Sequence, residues 1–382
     1  MTSWRQAREL AFEVPAPLPA ESVPLCMAAG RVLARPVLAQ AAIPGFDNSA
    51  MDGFAVRGPD PWRVVARVLA GQADPGSLQP GTAVEIATGA PVPCCTDRVV
   101  PYERSRRSGD EIVATETLPR THIRLAGEDA CPGKMLLSAG LSLSPAAIGL
   151  AASAGLDMVE VHREPLVRII VTGDELVDDG IPGPGQVRDA IGPMLPSLLD
   201  AFGAGRPVLH RLPDRSSVLA DAIHEATEDV VIVCGATSVG PADGLHAALE
   251  ELDATVHVDG VDCRPGHPQV LAAAAGRLVV GLPGNPFAAL VAAYTIGQPL
   301  LARLSGRPFP TPTSVPVTGS VATPVPRTRL VPVRRVDVHA EAIGGEGPGF
   351  LGAAALADAL AVIEPGWRAG DAAPLLPLRS CW

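Results

Sequence analysis

Aromatic residues are scarce in this chain: they make up 3% of 382 residues, whereas hydrophobic residues as a whole make up 47%. The cores must therefore be built mainly from valine, leucine and alanine. Basic residues are also few, with 30 Lys and Arg against 41 Asp and Glu, which leaves a formal net charge of -11. This balance excludes a general nucleic-acid-binding protein, which needs a basic face. A small anionic ligand held by backbone N–H groups, a few arginines or a metal ion is still compatible with it.

We expect neither a signal peptide nor a membrane-spanning helix. Its N-terminus lacks a basic stretch followed by an apolar one, so we expect no signal peptide. No apolar run approaches the roughly 20 residues that span a bilayer. We therefore predict a cytoplasmic protein with no membrane partner.

Metal-ligand spacings are missing as well. The seven cysteines are scattered and odd in number, and the adjacent pair Cys94-Cys95 does not have the CxxC spacing of zinc or redox sites. The eight histidines form no HxxxH or HExxH pattern. We expect reduced thiols, as is usual inside a cell.

Proline and glycine, in contrast, are abundant, with 40 and 39 residues. Because apolar runs continue throughout the chain, this composition indicates many short elements and tight loops and not disorder. The length predicts two to four domains.

The first 163 residues favour short helices around a small β module. Ser3 can cap a first helix, and a second helix is predicted over Leu25–Ala34. The loop from Ile43 to Val56 carries Asp47-Asn48-Ser49, which suits either a shaped site or an Asx-turn network without chemistry. The β-rich runs of the module and the strand and helix that follow it are Arg63–Leu69, Thr82–Ala87, Arg98–Tyr102, Glu111–Thr117, a helix from Ser144 to Gly155, and Met158–His162.

From Glu164 to Arg307 strands alternate with helices, which predicts βαβ units, a mostly parallel sheet and helices on both faces. The strands expected there are Val167–Val171, Pro207–His210, Val230–Val233, Thr255–Val258 and Leu278–Gly281. The helices expected are Ile191–Phe202, Ser216–Ala226, Leu245–Leu252 and Pro286–Leu304. Short strands follow at Ser314–Val317, Thr328–Val333 and Arg335–His339, with a further element over Leu351–Ile363.

The fold class is therefore α/β plus β domains, with a doubly wound sheet, an inserted β module and a C-terminal β-barrel-like domain. The predicted domains are residues 1–45 plus 129–163, 46–128, 164–307 and 308–382.

Two acids follow the first strand of the α/β region. Val167–Val171 ends in Thr172-Gly173-Asp174-Glu175, and ligands of open α/β sheets bind beyond the carboxyl ends of the strands. The alternative is that both carboxylates belong to a solvated turn.

Glycine-rich loops are expected at the same edge. They follow later strands at 234–244, 264–268 and 282–286. Glycines allow a backbone to approach an oxyanion, and a helix N-terminus adds N–H donors. Gly235 to Gly240 has Walker-like spacing, but Pro241-Ala242 replaces the Lys-Ser/Thr of a P-loop, which argues against a P-loop nucleotide hydrolase. Each loop alone could be a tight βα turn; together they favour a ligand site.

Six motifs in this order resemble the molybdopterin molybdenumtransferase family, which comprises bacterial MoeA and the E-domain of gephyrin. They are FDNSAMDG (46–53), TGAPVP (88–93), GED (127–129), TGDEL (172–176), GxxSVGxxD (235–243) and PGNP (283–286). The resemblance implies an elongated homodimer of four-domain subunits. It implies a reaction in which adenylylated molybdopterin and molybdate are the substrates, a divalent cation, Mg²⁺, assists cleavage of the adenylate, AMP leaves and molybdenum is inserted into the dithiolene. It also suggests the molybdopterin adenylyltransferase as a partner.

The resemblance also implies roles for individual residues. Asp174, Glu175 and Asp243 are the candidates for metal or water positioning. Asp52, Glu128 and Asp129 match functional acids of the β module that reach the site of the other subunit. The residues that the resemblance places near the pterin phosphate or the molybdate are Thr172, Gly173, Asp214, Gly235, Ser238, Gly240, Arg264, Gly266, His267, Pro283, Gly284, Asn285 and Pro286.

Several positions depart from the family pattern. The usual Lys-Pro-Gly-Lys-Pro is Arg264-Pro265-Gly266-His267-Pro268 here, which keeps one permanent charge and replaces the other with an imidazole. Ala190-Ile191 replaces a hydroxyl residue and an asparagine after Asp189. Gly349–Gly352 lies where the family tends to have a serine, which bears on molybdate binding. The remaining departures are Ala130, Ala236-Thr237 and Gly244.

Three hypotheses follow. The first is the transferase itself. The second is a catalytically impaired paralogue that binds or carries the pterin or the molybdenum cofactor. The third is an adenylylating enzyme, which would consume ATP, and the additional β domains argue against it.

Overall fold

A computed structural model of the protein describes residues 1–73, 75–116, 119–237, 244–321, 327–344 and 347–378. The described helices are α1 (Trp4–Glu13), α2 (Pro145–Ser153), α3 (Ile191–Ala201), α4 (Ser216–His224), α5 (Gly244–Glu251), α6 (Pro286–Ala292), α7 (Gln298–Leu304) and α8 (Gly352–Leu356). Short 3₁₀ turns cover Leu25–Met27 and Tyr102–Arg104.

The described strands are β1 (Thr2–Ser3), β2 (Ala20–Pro24), β3 (Val37–Leu38), β4 (Asn48–Ser49), β5 (Gly53–Val56), β6 (Trp62–Val68), β7 (Thr82–Ile86), β8 (Arg98–Pro101), β9 (Ser105–Ser108), β10 (Glu111–Ala114), β11 (Ile123–Arg124), β12 (Met135–Leu137), β13 (Met158–His162), β14 (Leu166–Thr172), β15 (Leu176–Val177), β16 (Val187–Arg188), β17 (Gly205–Leu212), β18 (Val230–Cys234), β19 (Thr255–Asp259), β20 (Val261–Arg264), β21 (Val270–Ala274), β22 (Arg277–Leu282), β23 (Thr313–Thr318), β24 (Thr328–Val336), β25 (His339–Ala342), β26 (Ala359–Ile363) and β27 (Ala372–Pro377).

The chain forms two compact units. Unit 1 contains residues Met1–Glu21 and His162–Trp382, and unit 2 contains Ser22–Val161. Unit 2 has a six-stranded sheet in the order β8-β5-β7-β6-β10-β9, which confirms that the predicted β module forms strands. Its core includes Phe54, Val56, Trp62 and Ile112.

The second predicted helix, Leu25–Ala34, is wrong. Only a 3₁₀ turn forms at Leu25–Met27, and Gly30 adopts a φ of +74°. The amide of Leu33 then donates to the carbonyl of Leu141 at 3.0 Å, and the amide of Ala34 donates to that of Glu160 at 2.9 Å. The backbone of this segment is thus hydrogen-bonded to residues far away in the sequence. The local hydrophobic periodicity does not encode such bonds.

The central sheet of unit 1 has the order β17-β14-β18-β22-β21-β19. β14, β17, β18 and β22 run parallel, while β21 is antiparallel to both neighbours. Side chains of β14 alternate between two cores: Ile169 packs with α3 and α6, and Ile170 packs with α4 and α5. The doubly wound sheet with helices on both faces is confirmed. β20 and β21 were not predicted, because a run such as Val-Leu-Ala-Ala-Ala has weak strand propensity.

A second sheet of unit 1 has the order β1-β20-β24-β25-β23-β27-β26, and an extra pairing of β24 with β26 closes its last five strands into a barrel. The predicted strand Arg335–His339 is wrong. β24 ends at Val336, Asp337 turns the chain with a φ of +51°, and β25 pairs back from His339.

Residues Pro286–Leu304 form one continuous helical stretch in which Ala293–Gly297 has π-helical bonding. Pro299 explains this widening, since it has no N–H to donate to an earlier carbonyl. The stretch has the predicted bounds, Pro286–Leu304, but its 19 residues with a mean hydropathy of 1.3 correct the expectation that no apolar run approaches the length of a membrane span; 89% of its apolar window is buried inside the protein. It is a core helix of unit 1.

Candidate active site

The carboxyl ends of three parallel strands lie side by side in unit 1. In the register of the sheet, Val171 on β14 pairs with Cys234 on β18, which pairs with Leu282 on β22. Thr172, Gly235 and Pro283 therefore leave the sheet together. The structure thus brings three of the predicted segments, 172–175, 235–237 and 283–286, to one edge.

Two glycines are required where these segments touch. Gly235 has a φ of +104°, and a Cβ on it would lie 2.5 Å from the carbonyl oxygen of Thr172. A Cβ on Gly284 would lie 3.3 Å from the Cα of Gly235. The backbones of these loops are therefore packed against each other. The glycines, which were predicted to let the backbone approach a ligand, are needed first to let the loops approach one another.

The acids of TGDEL are exposed at this edge. Asp174 and Glu175 are both accessible to solvent, and the Glu175 carboxylate oxygen lies 3.0 Å from where a Cβ on Gly173 would be. Asp214 follows β17 two residues after Leu212, the register partner of Thr172, so it reaches the same edge. Ser238, Gly240 and Asp243 lie outside the described residues.

A buried acid that the sequence analysis did not select lies behind the TGDEL segment. The Asp189 carboxylate accepts hydrogen bonds from the amides of Ile191 at 2.8 Å and Gly192 at 2.9 Å, which caps α3. Arg211 bridges Asp189 and Asp178. The departure at Ala190-Ile191 therefore leaves the start of α3 intact, because the preceding aspartate supplies the acceptor.

A pocket of about 340 Å³ collects most of the other predicted binding residues. Its lining includes Arg264, Gly266, His267, Pro283 and Asn285, together with Arg327, Cys263, Ala288 and Pro348. Fully buried Gln269 holds the turn that carries Arg264 and His267: its side-chain amide nitrogen donates to the Gly266 carbonyl at 2.6 Å. A Cβ on Gly266 would lie 2.9 Å from the Ala288 carbonyl oxygen, so this glycine is also required by close packing.

Arginine dominates the electrostatics of this pocket. Arg327 reaches it from the chain just before β24 and forms a 3.4 Å ion pair with Asp262. Arg329 is the register partner of Arg264, and burial, followed by the charge of Arg264, lowers its pKa. Neither Arg327 nor Arg329 was selected from the sequence, because the pairing of β20 with β24 joins distant segments. The pocket suits an anion.

The helix N-terminus at PGNP was expected to offer free N–H donors to a ligand, and the structure differs from this expectation. Asn285 is the N-cap residue of α6 and Pro286 occupies the first turn, but the Asn285 side chain makes no capping bond. The carbonyl of Pro348 instead accepts from the amides of Phe287 at 3.0 Å and Ala288 at 3.1 Å. These two N–H groups are therefore engaged within the chain, and Asn285 lines the pocket with its side chain near Gly349.

The three predicted acids of unit 2 make local bonds. Asp52 accepts from the Thr88 amide at 2.7 Å, and Glu128 accepts from the Leu125 amide at 3.0 Å. Asp129 pairs with Arg124. All three are exposed, so these turn contacts leave their carboxylates accessible.

Among the described residues, no three His, Cys, Asp or Glu side chains come together in a way that could hold a metal ion. Cys263, at the pocket wall, is a poor ligand near neutral pH because burial raises the pKa of its thiol to about 12. The described acids at the edge, Asp174 and Glu175, amount to two adjacent carboxylates.

Comparisons with known proteins cover nearly the whole chain. Residues 2–155 match the MoeA N-terminal region (domain I and II), residues 168–303 match the probable molybdopterin binding domain, and residues 314–378 match the MoeA C-terminal region (domain IV). A molybdopterin molybdenumtransferase of Nostoc sp. is 36% identical over 303 residues, covering 75% of this chain and 70% of the relative. That of Haemophilus influenzae is 35% identical over 318 residues, covering 80% and 78%. The crystal structure of the molybdopterin biosynthesis MoeA protein from Pyrococcus horikoshii matches all of both chains with a TM-score of 0.80 and 26% identity.

Proposed function

Because the chain belongs to the molybdopterin molybdenumtransferase family, which acts in molybdenum cofactor biosynthesis, we propose that it inserts molybdenum from molybdate into adenylylated molybdopterin and releases AMP. The observation that carries this proposal is the arginine-rich pocket next to the carboxyl edge of the sheet. Pro283 and Asn285 belong to both features, so a phosphate-bearing pterin at the edge and an oxyanion in the pocket would be neighbours.

Molybdate is the substrate for the pocket. It is a small tetrahedral dianion, and Arg264 and Arg327 offer guanidinium groups suited to an oxyanion, with His267 and Asn285 as further donors. Gln269 positions the turn that carries Arg264 and His267. Molybdenum itself takes the soft dithiolene sulfurs of the substrate as ligands, so the protein need not supply cysteine.

The carboxyl edge holds the adenylylated pterin. Gly173, Gly235 and Gly284, beside the buried Thr172, leave this edge without bulky side chains, which supports close approach of a phosphate. Asp214 follows β17 at the same edge, Pro286 begins α6 there, and by their motif Ser238 and Gly240 are proposed as further contacts of the phosphate.

Mg²⁺ fits the described acids. It is usually held by one or two carboxylates, waters and substrate phosphates, and Asp174 and Glu175 are two exposed carboxylates at the edge where the phosphates would lie. Asp243 is the proposed third carboxylate. When bound, the ion polarises a phosphoryl oxygen as a Lewis acid.

The acids of unit 2 complete the proposal. Asp52, Glu128 and Asp129 are exposed carboxylates that would act at the site of a second subunit in a homodimer. The protein would work in the cytoplasm and receive its substrate from the molybdopterin adenylyltransferase.

A second candidate function is a pterin or cofactor carrier. It is favoured by Gly349, which lies beside Asn285 at the pocket and has no hydroxyl to offer an oxyanion. A carrier would bind the pterin without releasing AMP.

AMP release separates these functions. Purified protein with adenylylated molybdopterin, Mg²⁺ and molybdate should release AMP, and Asp174→Asn and Glu175→Gln should each lose it while far-ultraviolet circular dichroism stays unchanged. The matched control is Asp179→Asn, an exposed acid four residues farther along, which should keep full activity. Binding without AMP release would support the carrier, ATP consumption would support adenylylation, and full activity in both variants would remove these acids from the mechanism.

A further inference from the structure

Two adjacent thiols face each other on unit 2. The Sγ atoms of Cys94 and Cys95 lie 3.7 Å apart, and both residues are exposed. They occupy the two central positions of a tight turn, in which the amide of Thr96 donates to the carbonyl of Pro93 at 3.2 Å. Neither thiol takes part in the site proposed for molybdenum transfer.

The turn favours glycine at the position that Cys95 occupies. Cys95 has a φ of +68°, in the left-handed region that residues with a Cβ adopt at a cost in free energy. Glycine at this position would relieve the strain. Strained residues of this kind concentrate at functional sites.

The backbone holds the pair in place. The amide of Cys94 donates to the carbonyl of Gly76 at 2.8 Å, and its carbonyl accepts from the amide of Leu78 at 2.9 Å. These two bonds fix the backbone that carries the first of the two thiols.

The geometry suits a shared metal ion better than a disulfide. Disulfides normally join Cα atoms about 4.4–6.8 Å apart, whereas consecutive Cα atoms are about 3.8 Å apart, so a disulfide here would be strained. Two metal–thiolate bonds of about 2.3 Å to sulfurs 3.7 Å apart enclose about 107°, which is close to the tetrahedral angle. Cys94 lines a pocket of about 590 Å³, and the neighbouring Cys95 is exposed.

We propose that Cys94 and Cys95 form a two-thiolate chelate for a soft, tetrahedral divalent cation of the Zn²⁺ and Cd²⁺ class, with water as the remaining ligands. Among the described residues no third His, Cys, Asp or Glu joins them, so the site is open on one side. This site is independent of the proposed transferase function.

Cadmium is the probe, because its thiolate complexes absorb in the ultraviolet. The reduced full-length protein is titrated with Cd²⁺ and followed by calorimetry and by sulfur-to-cadmium absorption. We expect one ion per chain, and at least tenfold weaker binding with loss of the absorption in Cys94→Ser and Cys95→Ser. The matched control is the double variant Cys26→Ser/Cys131→Ser, which removes two other exposed thiols and should bind as the parent does. Equal binding by the parent and Cys94→Ser would overturn the proposal.

The variant Cys95→Gly tests whether loss of Cd²⁺ binding comes from loss of the thiol and not from misfolding. This variant removes one thiol and relieves the left-handed strain, so its thermal midpoint without metal should rise by about 2–4 °C while Cd²⁺ binding is lost. Persistent binding in this stable variant would exclude the chelate. A second outcome would also exclude the chelate. If mild peroxide rapidly removes two hydrogens from the protein, as measured by mass spectrometry, and the reduced form takes up no Cd²⁺, the pair would be a disulfide switch.

Discussion

At the scale of single residues, Asp189 shows how the loop after the TGDEL segment is supported. Its side chain is 3% exposed, caps α3 through two backbone amides and shares Arg211 with Asp178. A buried carboxylate is stable only with such partners. The network ties three separated stretches, around residues 178, 189 and 211, into one support beside the proposed pterin site.

Asp189→Ala should lower the free energy of unfolding by about 2–4 kcal/mol, because two buried N–H groups lose their acceptor and Arg211 loses one of its acids. Asp189→Asn should have a smaller effect, since the amide oxygen still accepts. Urea unfolding measures both, with exposed Asp179→Ala as the control within about 0.5 kcal/mol. A change in Asp189→Ala no larger than the control would contradict the capping role.

The buried thiol of Cys263 should make the stability of the protein depend on pH. Burial raises the pKa of its thiol from 9.0 to about 12, and burial also raises the pKa of Cys234. Because the folded-state pKa is the higher one, this group's contribution to stability is complete below pH 9 and is lost as the pH rises towards 12. The free energy of unfolding should fall over this range, and the fall should be shallower in Cys263→Ala. Equal slopes in the two proteins would refute the assignment.

At the scale of elements, a glycine is required where the ends of two strands lie in contact, and it is not required on the exposed face of a helix. Gly235 directly follows β18 where a Cβ would strike Thr172, whereas Gly149 is an exposed residue of α2 with nothing within 4 Å of a Cβ. The same residue type is thus required at one element and dispensable at the other.

Gly235→Ala should therefore lose about 2–4 kcal/mol of stability, through the clash and the left-handed φ, and reduce AMP release at least tenfold. Gly149→Ala should gain about 0.5–1 kcal/mol, because alanine is the better helix former. Denaturant midpoints and the AMP assay test both. A stable, fully active Gly235→Ala would show that the edge tolerates side chains.

At the scale of the whole molecule, the chain carries the proposed pterin and molybdate sites on unit 1 and the acids Asp52, Glu128 and Asp129 on unit 2. The proposal that these acids serve a second subunit makes the homodimer part of the site. The division into four domains with the bounds predicted above stays a prediction.

Sedimentation equilibrium should give about twice the 39.2 kDa of one chain. Mixing inactive Asp52→Asn with inactive Glu175→Gln should restore activity, since a mixed dimer has one site with both acids intact. With random exchange the recovery should be about a quarter of the parent activity. No recovery despite proven exchange would place Asp52 and Glu175 on the same subunit's site.

Much of the fold was readable from the sequence, because its signals are local. The alternation of buried strands with helices specified the α/β sheet, and Thr172–Glu175, Gly235 and Pro283–Asn285 were selected because they follow predicted strands. The motif order was sufficient for the family. Two predictions in short stretches were wrong: bonds to the distant residues Leu141 and Glu160 replace the helix over Leu25–Ala34, and a tight turn at Asp337 with a φ of +51° interrupts the strand over Arg335–His339.

The sequence by itself determined the alternating strands and helices of the α/β sheet, the family and which loops end at one edge of that sheet. Only the tertiary structure decided that Arg327 joins Arg264 at one pocket, that the Pro348 carbonyl takes the first amides of α6, and that Asp189 caps α3. The physical reason is range. Periodicity and turn chemistry act over a few residues, whereas the pairing of β20 with β24 and the path of residue 348 over α6 depend on how separate sheets and loops pack, and no local pattern encodes that packing.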